Sequence, residues 1–124
     1  MPIAYWCILV AVLLPLVLAG YAKHGARDNN TPRDDAENLA GARRRAYAAH
    51  QNAYENLPFF AVAVVAALSF GANIAALNGL AVLYIAFRIA HGWLYIADRP
   101  TLRSAAYAGA LFANIAIFAL PAFR

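Results

Sequence analysis

Long apolar stretches separated by short polar ones organise the 124-residue chain. Three of them are long enough to cross a bilayer: Pro2–Tyr21, about Ile74–Ile96, and Ser104 to about Phe123. A further apolar run, Leu57–Phe70, is too short and needs the polar turns from about Ala46 to reach across. The pattern therefore predicts four membrane-spanning helices in one domain covering residues 1–124, an all-α membrane bundle.

The second predicted helix carries unusual polar residues. Upstream of it, Asp34 and Glu37 have the spacing of a capping box, so we expect the helix to begin near Asp35, well before the bilayer. Inside it, Pro58 removes a backbone donor, which predicts a kink or a water-filled gap just after Glu55.

Composition supports the membrane assignment, since 64% of residues are hydrophobic and 13% are charged, whereas soluble domains are about half apolar. A signal peptide is the competing interpretation of the first segment, but its basic start is missing and its apolar stretch is long. We therefore expect a retained helix. Cys7 is the single cysteine, cannot form an internal disulfide, and is expected to be a small core residue.

Basic residues are concentrated in two of the three connections. The first connection carries Lys23, Arg27, Arg33, Arg43, Arg44 and Arg45. The third carries Arg99 and Arg103, and the second, residues 71–73, carries no charge. Short basic loops stay in the cytoplasm, which predicts cytoplasmic basic loops, both termini on the opposite side, and a bacterial-type inner membrane. Nucleic-acid binding is not expected, because these residues adjoin helix ends and no soluble binding module is present.

Two of the predicted helices each present a polar stripe on one face. The stripe of the second helix is spaced by seven and three residues: Arg45, Asn52 and Glu55. The stripe of the third helix is spaced by three and four: Arg88, His91 and Tyr95. Asp98, Arg99 and Arg103 follow at the same level.

Two interpretations of these stripes remain open. Ionisable groups in membrane helices are expensive and usually face a partner or a cavity. Glu55 could simply pair with Arg88 and join two helices, or the stripes could line a site for a polar, charged ligand. A metal site is not expected, because the three histidines lack the spacing of metal ligands.

Two segments resemble the MAPEG family, the membrane-associated proteins in eicosanoid and glutathione metabolism. They are "AYAAHQNAYENLPFF" in the second helix and "YIAFRIAHGWLYIADRPTLRS" at the end of the third. The specific signal is an N-x-x-E-x-x-P stretch followed later by A-D-R-P-x-x-R. Helix number, length and loop lengths also fit, so the chain looks like a short bacterial member.

The resemblance implies a four-helix protomer in a homotrimer within the lipid bilayer. It further implies glutathione as co-substrate, bound between adjacent subunits near the cytoplasmic face. The implied activity is that of a transferase or peroxidase, which conjugates glutathione to lipophilic electrophiles or reduces lipid hydroperoxides.

Site residues follow from the resemblance position by position. The residues that match glutathione contacts are Asn52, Glu55, Arg88 and Tyr95, and Arg103 matches the arginine proposed to activate the thiol. Lys23 or Arg27 corresponds loosely to a basic group after the first helix. Two positions depart from the family pattern: Ala48 stands where arginine is frequent, and His91 where some members have tyrosine. Arg45 or His50 could supply the missing charge.

The chemistry of these residue types suits glutathione, which carries two carboxylates and one ammonium group. Arginine binds carboxylates through paired donors, and a carboxylate such as Glu55 suits the ammonium. Only the thiolate is nucleophilic, and a free thiol has a pKa of about 8.5. A guanidinium within hydrogen-bond reach lowers that pKa.

Two other functions compete with this one. Ala48 favours a non-catalytic family member that binds a lipid or a partner protein. Glu55 is the only acidic residue within an apolar run, which is also typical of a small four-helix exporter of cationic drugs. The arginines of the stripes argue against that exporter, because they would repel a cationic substrate.

Overall fold

The computed structural model describes residues 1–24 and 39–123. Its elements are α1 (Ile3–Lys23), α2 (Gly41–Ser69), α3 (Ile74–Ile96), α4 (Pro100–Ala119) and a closing 3₁₀ turn (Leu120–Phe123). The prediction of a four-helix bundle is confirmed. Three of the described helices are long and apolar enough to cross a membrane: α1, α3, and α4 with its 3₁₀ turn. The chain is thus an integral membrane protein.

Helix boundaries agree with the sequence pattern best where a clear signal marks the ends. Residues Ile74–Ile96 form α3 as predicted. At its start, the Asn73 side chain accepts a hydrogen bond from the Ala76 N–H at 2.9 Å, the normal role of a helix-capping asparagine. α4 begins four residues before the predicted Ser104, because Pro100 already has the backbone angle of a first helical residue.

The predicted start of the second helix near Asp35 is wrong for the described chain. Leu39 and Ala40 are not helical, and Ala40 is extended at φ −135°. Gly41 follows with φ +61°, a left-handed angle that interrupts a continuous right-handed helix. The candidate capping pair lies in residues 25–38, outside the described part.

Small residues form the contacts between helices. The most extensive packing joins α1 to α2 and α3 to α4, and α2 also packs against α3 and α4. The buried alanines are Ala4, Ala11, Ala22, Ala46, Ala49, Ala53, Ala63, Ala67, Ala72, Ala81, Ala106, Ala110 and Ala113. Lipid tails are as apolar as leucine, so membrane helices associate through close backbone approach, which small residues allow.

Large apolar side chains point outward instead. Val17, Phe112 and Phe118 are 68%, 73% and 61% exposed. Such a surface would be an aggregation hazard in water, whereas in a bilayer it meets lipid. The interior combines many alanines with a few large side chains such as Phe60 and Leu77, while most large apolar side chains face outward, as in a bundle surrounded by lipid.

Helices α2 and α3 end in the same backbone motif, which begins the short turn that follows each of them. After α2, Gly71 has φ +75°, and the Ala72 N–H donates to the Ala67 carbonyl at 3.0 Å. After α3, Asp98 takes the same role at φ +61°, with the Arg99 N–H donating to the Leu94 carbonyl at 3.0 Å. Both are Schellman motifs, which satisfy the last carbonyls of a helix.

One glycine lets α3 and α4 approach closely. A Cβ atom placed on Gly109 of α4 would lie 2.6 Å from Cζ of Phe87 on α3. The Phe87 ring therefore packs directly on the α4 backbone. By contrast, a Cβ atom on Gly79 of α3 meets nothing within 4 Å in the protomer.

We expect Gly109→Ala to lower the free energy of unfolding by about 1–3 kcal/mol, because the Phe87 ring must move to admit the methyl group. Gly79→Ala is the matched control and should leave stability unchanged or raise it by up to about 1 kcal/mol through helix propensity. Unfolding in detergent, followed by circular dichroism, measures both. Equal effects of the two variants on stability would show that the close contact between Gly109 and Phe87 does not exclude a larger side chain.

Candidate functional site

The polar residues of all four helices meet at one end of the bundle. Because consecutive helices run antiparallel, the end of α1, the start of α2, the end of α3 and the start of α4 share a level. Both predicted polar stripes therefore lie at this end, beside the connections that carry most of the basic residues. The opposite end holds the uncharged turn between α2 and α3.

The centre of the site is a hydrogen bond between α2 and α3. Arg88 donates from Nη2 to Oδ1 of Asn52 at 2.7 Å, and the arginine is only 3% exposed. Asn56, one turn later on α2, donates from Nδ2 to the Asn52 carbonyl at 2.8 Å and to its Oδ1 at 3.4 Å. The Asn52 side-chain oxygen thus accepts a short bond from Arg88 and a longer one from Asn56. A charge-assisted bond of this length is among the stronger polar contacts a protein makes.

An aromatic and cationic cluster joins α3 to α4 beside this pair. The guanidinium of Arg103 lies 4.3 Å from the ring centroid of Tyr95, within the range of a cation–π contact. His91, 3% exposed, has its ring 5.6 Å from that of Tyr95 and 6.0 Å from that of Tyr107. Arg103 and Tyr95 are only partly buried, so they present the accessible groups of the cluster.

The guanidinium of Arg45 is already hydrogen-bonded within the protomer, unlike a residue that is free to bind a ligand. Its Nε and Nη2 both donate to the carbonyl oxygen of Ile96 at 3.1 Å. Ile96 is the last residue of α3, where carbonyls lack helical partners and attract a positive charge. Arg45 therefore clamps the start of α2 to the end of α3, and its predicted role in ligand binding stays a prediction.

Glu55 lies apart from the other predicted site residues. It is exposed on α2 and lines a recess of about 220 Å³ with Tyr47, His50, Gln51 and Tyr54. Within the described protomer, Arg88 donates to Asn52 and not to Glu55. The interpretation in which Glu55 joins two helices by pairing with Arg88 is therefore wrong for a single protomer.

His50 ties this recess to α1. Its Nδ1 lies 2.8 Å from the Pro15 carbonyl oxygen, and its ring lies between those of Tyr47 and Tyr54, at 5.5 and 6.2 Å. Tyr47 also carries the Lys23 ammonium 5.4 Å from its ring centroid. The end of α1 thus contributes a cation to the same region.

The structure brings five of the seven predicted residues together: Asn52, Arg88, His91, Tyr95 and Arg103. It adds four that sequence reasoning missed: Asn56, Tyr84, Tyr107 and Asn114. Three of these carried a usable signal, because each stands four residues from a predicted one and so on the same helical face. Asn114 carried none, since it lies alone in an apolar run.

Comparison with known proteins gives one match. The sequence model of the MAPEG family matches residues 3–123, nearly the whole chain. A search of curated proteins found no match, and neither did a search of solved structures.

We expect Arg45→Ala to lower the free energy of unfolding by about 1.5–3 kcal/mol, the range for hydrogen bonds to charged groups, because the Ile96 carbonyl loses both donors. Arg43→Ala removes an exposed neighbour on the same helix and should change stability by less than about 0.5 kcal/mol. Detergent unfolding compares the two. If both variants had the free energy of unfolding of the wild type, the Arg45–Ile96 hydrogen bonds would contribute nothing to stability.

Proposed function

Because the chain belongs to the MAPEG family, we propose that it is a membrane glutathione-dependent transferase or peroxidase. Its second substrates would be lipophilic electrophiles or lipid hydroperoxides. The family is one of glutathione-related membrane transferases and peroxidases, and the polar end of the bundle supplies the residue types that such a reaction uses.

The observation that carries this proposal is the placement of Arg103. Its guanidinium lies over the Tyr95 ring, 4.3 Å from the ring centroid, at the edge of the bundle. A cation–π contact does not use the N–H groups as hydrogen-bond donors, so they can donate to a ligand. A partly buried cation of this kind, where water is scarce, suits a sulphur atom that must carry negative charge.

The residue types at the polar end of the bundle match glutathione in the sign of their charges. The tripeptide has two carboxylates and one ammonium, and the site offers cationic and amide donors together with the Glu55 carboxylate. Bound glutathione supplies the sulphur nucleophile. A donor at Arg103 that lowers the thiol pKa by about two units would stabilise the thiolate by roughly 2.7 kcal/mol.

Burial divides the predicted residues into two roles. Arg88 and His91 are each 3% exposed, so we assign them to positioning: Arg88 orients the Asn52 amide, and His91 supports the Tyr95 ring. Asn52, Tyr95 and Arg103 are more accessible and are assigned to contact with the tripeptide.

Glu55 requires a neighbouring protomer in this account. It faces outward in its own recess, so it meets the tripeptide only if the ligand lies between two copies of the chain. We therefore propose a homotrimer with the site at each protomer boundary. By the positive-inside rule, the basic connections favour a site at the cytoplasmic face of the membrane, and the second substrate would arrive laterally from the lipid.

Arg103→Ala should reduce turnover of glutathione with a chlorinated nitrobenzene by about 25-fold at pH 7. A return of the thiol pKa from about 6.5 to about 8.5 lowers the thiolate fraction from roughly three-quarters to roughly 3%. The thiolate absorbance that appears when glutathione binds should also be lost. Both measurements use the full chain in detergent.

Arg99→Ala provides the control, because Arg99 is exposed, lies at the start of α4 four residues before Arg103, and has no assigned role. It should retain wild-type turnover and assembly size. If Arg103→Ala kept its activity, Arg103 would not activate the thiol. If it dissociated the assembly instead, its role would be structural.

A second candidate function is binding without catalysis. Two observations favour it. Ala48 has no charge with which to bind a carboxylate, and Arg45 donates two hydrogen bonds to the Ile96 carbonyl. Calorimetric titration with glutathione separates the candidates. Heat of binding supports the enzyme, whereas thermal stabilisation by lipids but not by glutathione supports a non-catalytic family member.

A further inference from the structure

A small cavity adjoins Arg88, the hydrogen-bond partner of Asn52. It has a volume of about 20 Å³ and is lined from α2, α3 and α4. Its polar lining residues are Asn56, Tyr84, Arg88, Tyr107 and Asn114. None of the residues that line it is a carboxylate, so the Arg88 charge faces only neutral dipoles here.

The side chain of Asn114 has an unpaired hydrogen-bond acceptor at this cavity. The residue is 3% exposed, and its Oδ1 has no hydrogen-bond partner within the described chain. A buried amide oxygen without a donor destabilises a fold, and more so in apolar surroundings. Native structures seldom leave such an atom unpaired.

Arg88 also lines this cavity, and its guanidinium has more N–H donors than its bond to Asn52 uses. A guanidinium carries five N–H groups, and the bond to Asn52 uses one of them. The hydroxyl groups of Tyr84 and Tyr107 can each donate and accept. The cavity therefore combines an unpaired acceptor with an excess of donors.

The size of the cavity restricts what can satisfy these groups. A single water molecule needs about 10–15 Å³ on this scale and two to four polar partners. The cavity meets both conditions, while a carboxylate or a lipid headgroup is too large. A bare anion would meet the Asn114 carbonyl oxygen, which repels it, whereas water donates to that oxygen and accepts from Arg88.

We propose that this cavity binds one ordered water molecule that bridges Arg88 to Asn114. The water completes the solvation of a buried guanidinium inside the membrane and joins α4 to the α2–α3 hydrogen bond. Asn114 thereby becomes a positioning residue that acts on Arg88 through the water. The proposal does not depend on glutathione chemistry.

An experimental structure of the wild-type protein, at a resolution that shows ordered water, tests the site directly. One density peak should lie within hydrogen-bond distance of both Asn114 Oδ1 and the Arg88 guanidinium, at about 2.7–3.2 Å. A second data set from crystals grown in bromide distinguishes water from an anion, because bromide gives an anomalous signal and water does not.

Thermal unfolding of Asn114→Leu gives an independent test whose sign differs between the alternatives. If the water bridges Arg88, leucine removes it, and the midpoint should fall by about 4 °C or more. If the cavity is dry, leucine fills it and removes an unpaired polar group, so the midpoint should stay or rise. Phe112→Leu, an outward-facing change on the same helix, should leave the midpoint near that of the wild type.

A bridging peak without bromide signal, together with a lowered midpoint for Asn114→Leu, supports the proposal. No peak in the wild type, a bromide signal in the cavity, or an unchanged or raised midpoint overturns it. If Asn114→Leu does not fold, the wild-type structure and its bromide data decide alone.

Discussion

A guanidinium buried among membrane-spanning helices must find its solvation within the protein, and this constraint underlies the arrangement of the polar site. Arg88 is 3% exposed in a helix long and apolar enough to span the bilayer. Such a charge is stable only when protein groups replace its water. The 2.7 Å bond to Asn52 provides part of that replacement, and it fixes how α2 and α3 are rotated and offset relative to each other.

This constraint separates a buried supporting layer from an accessible chemical layer. Arg88 and His91 lie inside the bundle, while Tyr95 and Arg103 reach its edge. The supporting layer needs no ligand to be stable, because its contacts are within the protomer. The accessible layer has a cation over an aromatic ring, a contact that does not use the guanidinium N–H groups as hydrogen-bond donors. Small residues elsewhere let the four helices approach closely enough to bring both layers together.

Much of the fold was predictable from the sequence, because membrane length and helical periodicity act on every residue of a span. The bounds of α3 and the face that Arg88, His91 and Tyr95 share follow from these two rules. The start of α2 was mispredicted because the apparent capping pair precedes Gly41, whose positive φ is not visible in a pattern of polar residues. A capping-type motif in a polar stretch of sequence does not establish that one continuous helix follows it.

The partners within the site were harder to predict than its members. Asn52 and Glu55 share a helical face but point about 60° apart, so a modest rotation of α2 decides which one meets Arg88. The acceptor of Arg45 is a backbone carbonyl, and every helix end offers such acceptors. Asn114 was missed because a single amide in an apolar run has no periodic partner. These choices depend on tertiary packing, which periodicity does not encode.

A double-mutant cycle between Asn52 and Arg88 tests the central claim most directly. The free energy of unfolding in detergent would be measured for the wild type, Asn52→Ala, Arg88→Met and the double variant. The account predicts a coupling energy of about 1.5–3 kcal/mol, because each single change leaves the other partner of the hydrogen bond unpaired. Effects that add to within about 0.5 kcal/mol would contradict it, since the two side chains would then stabilise the bundle independently.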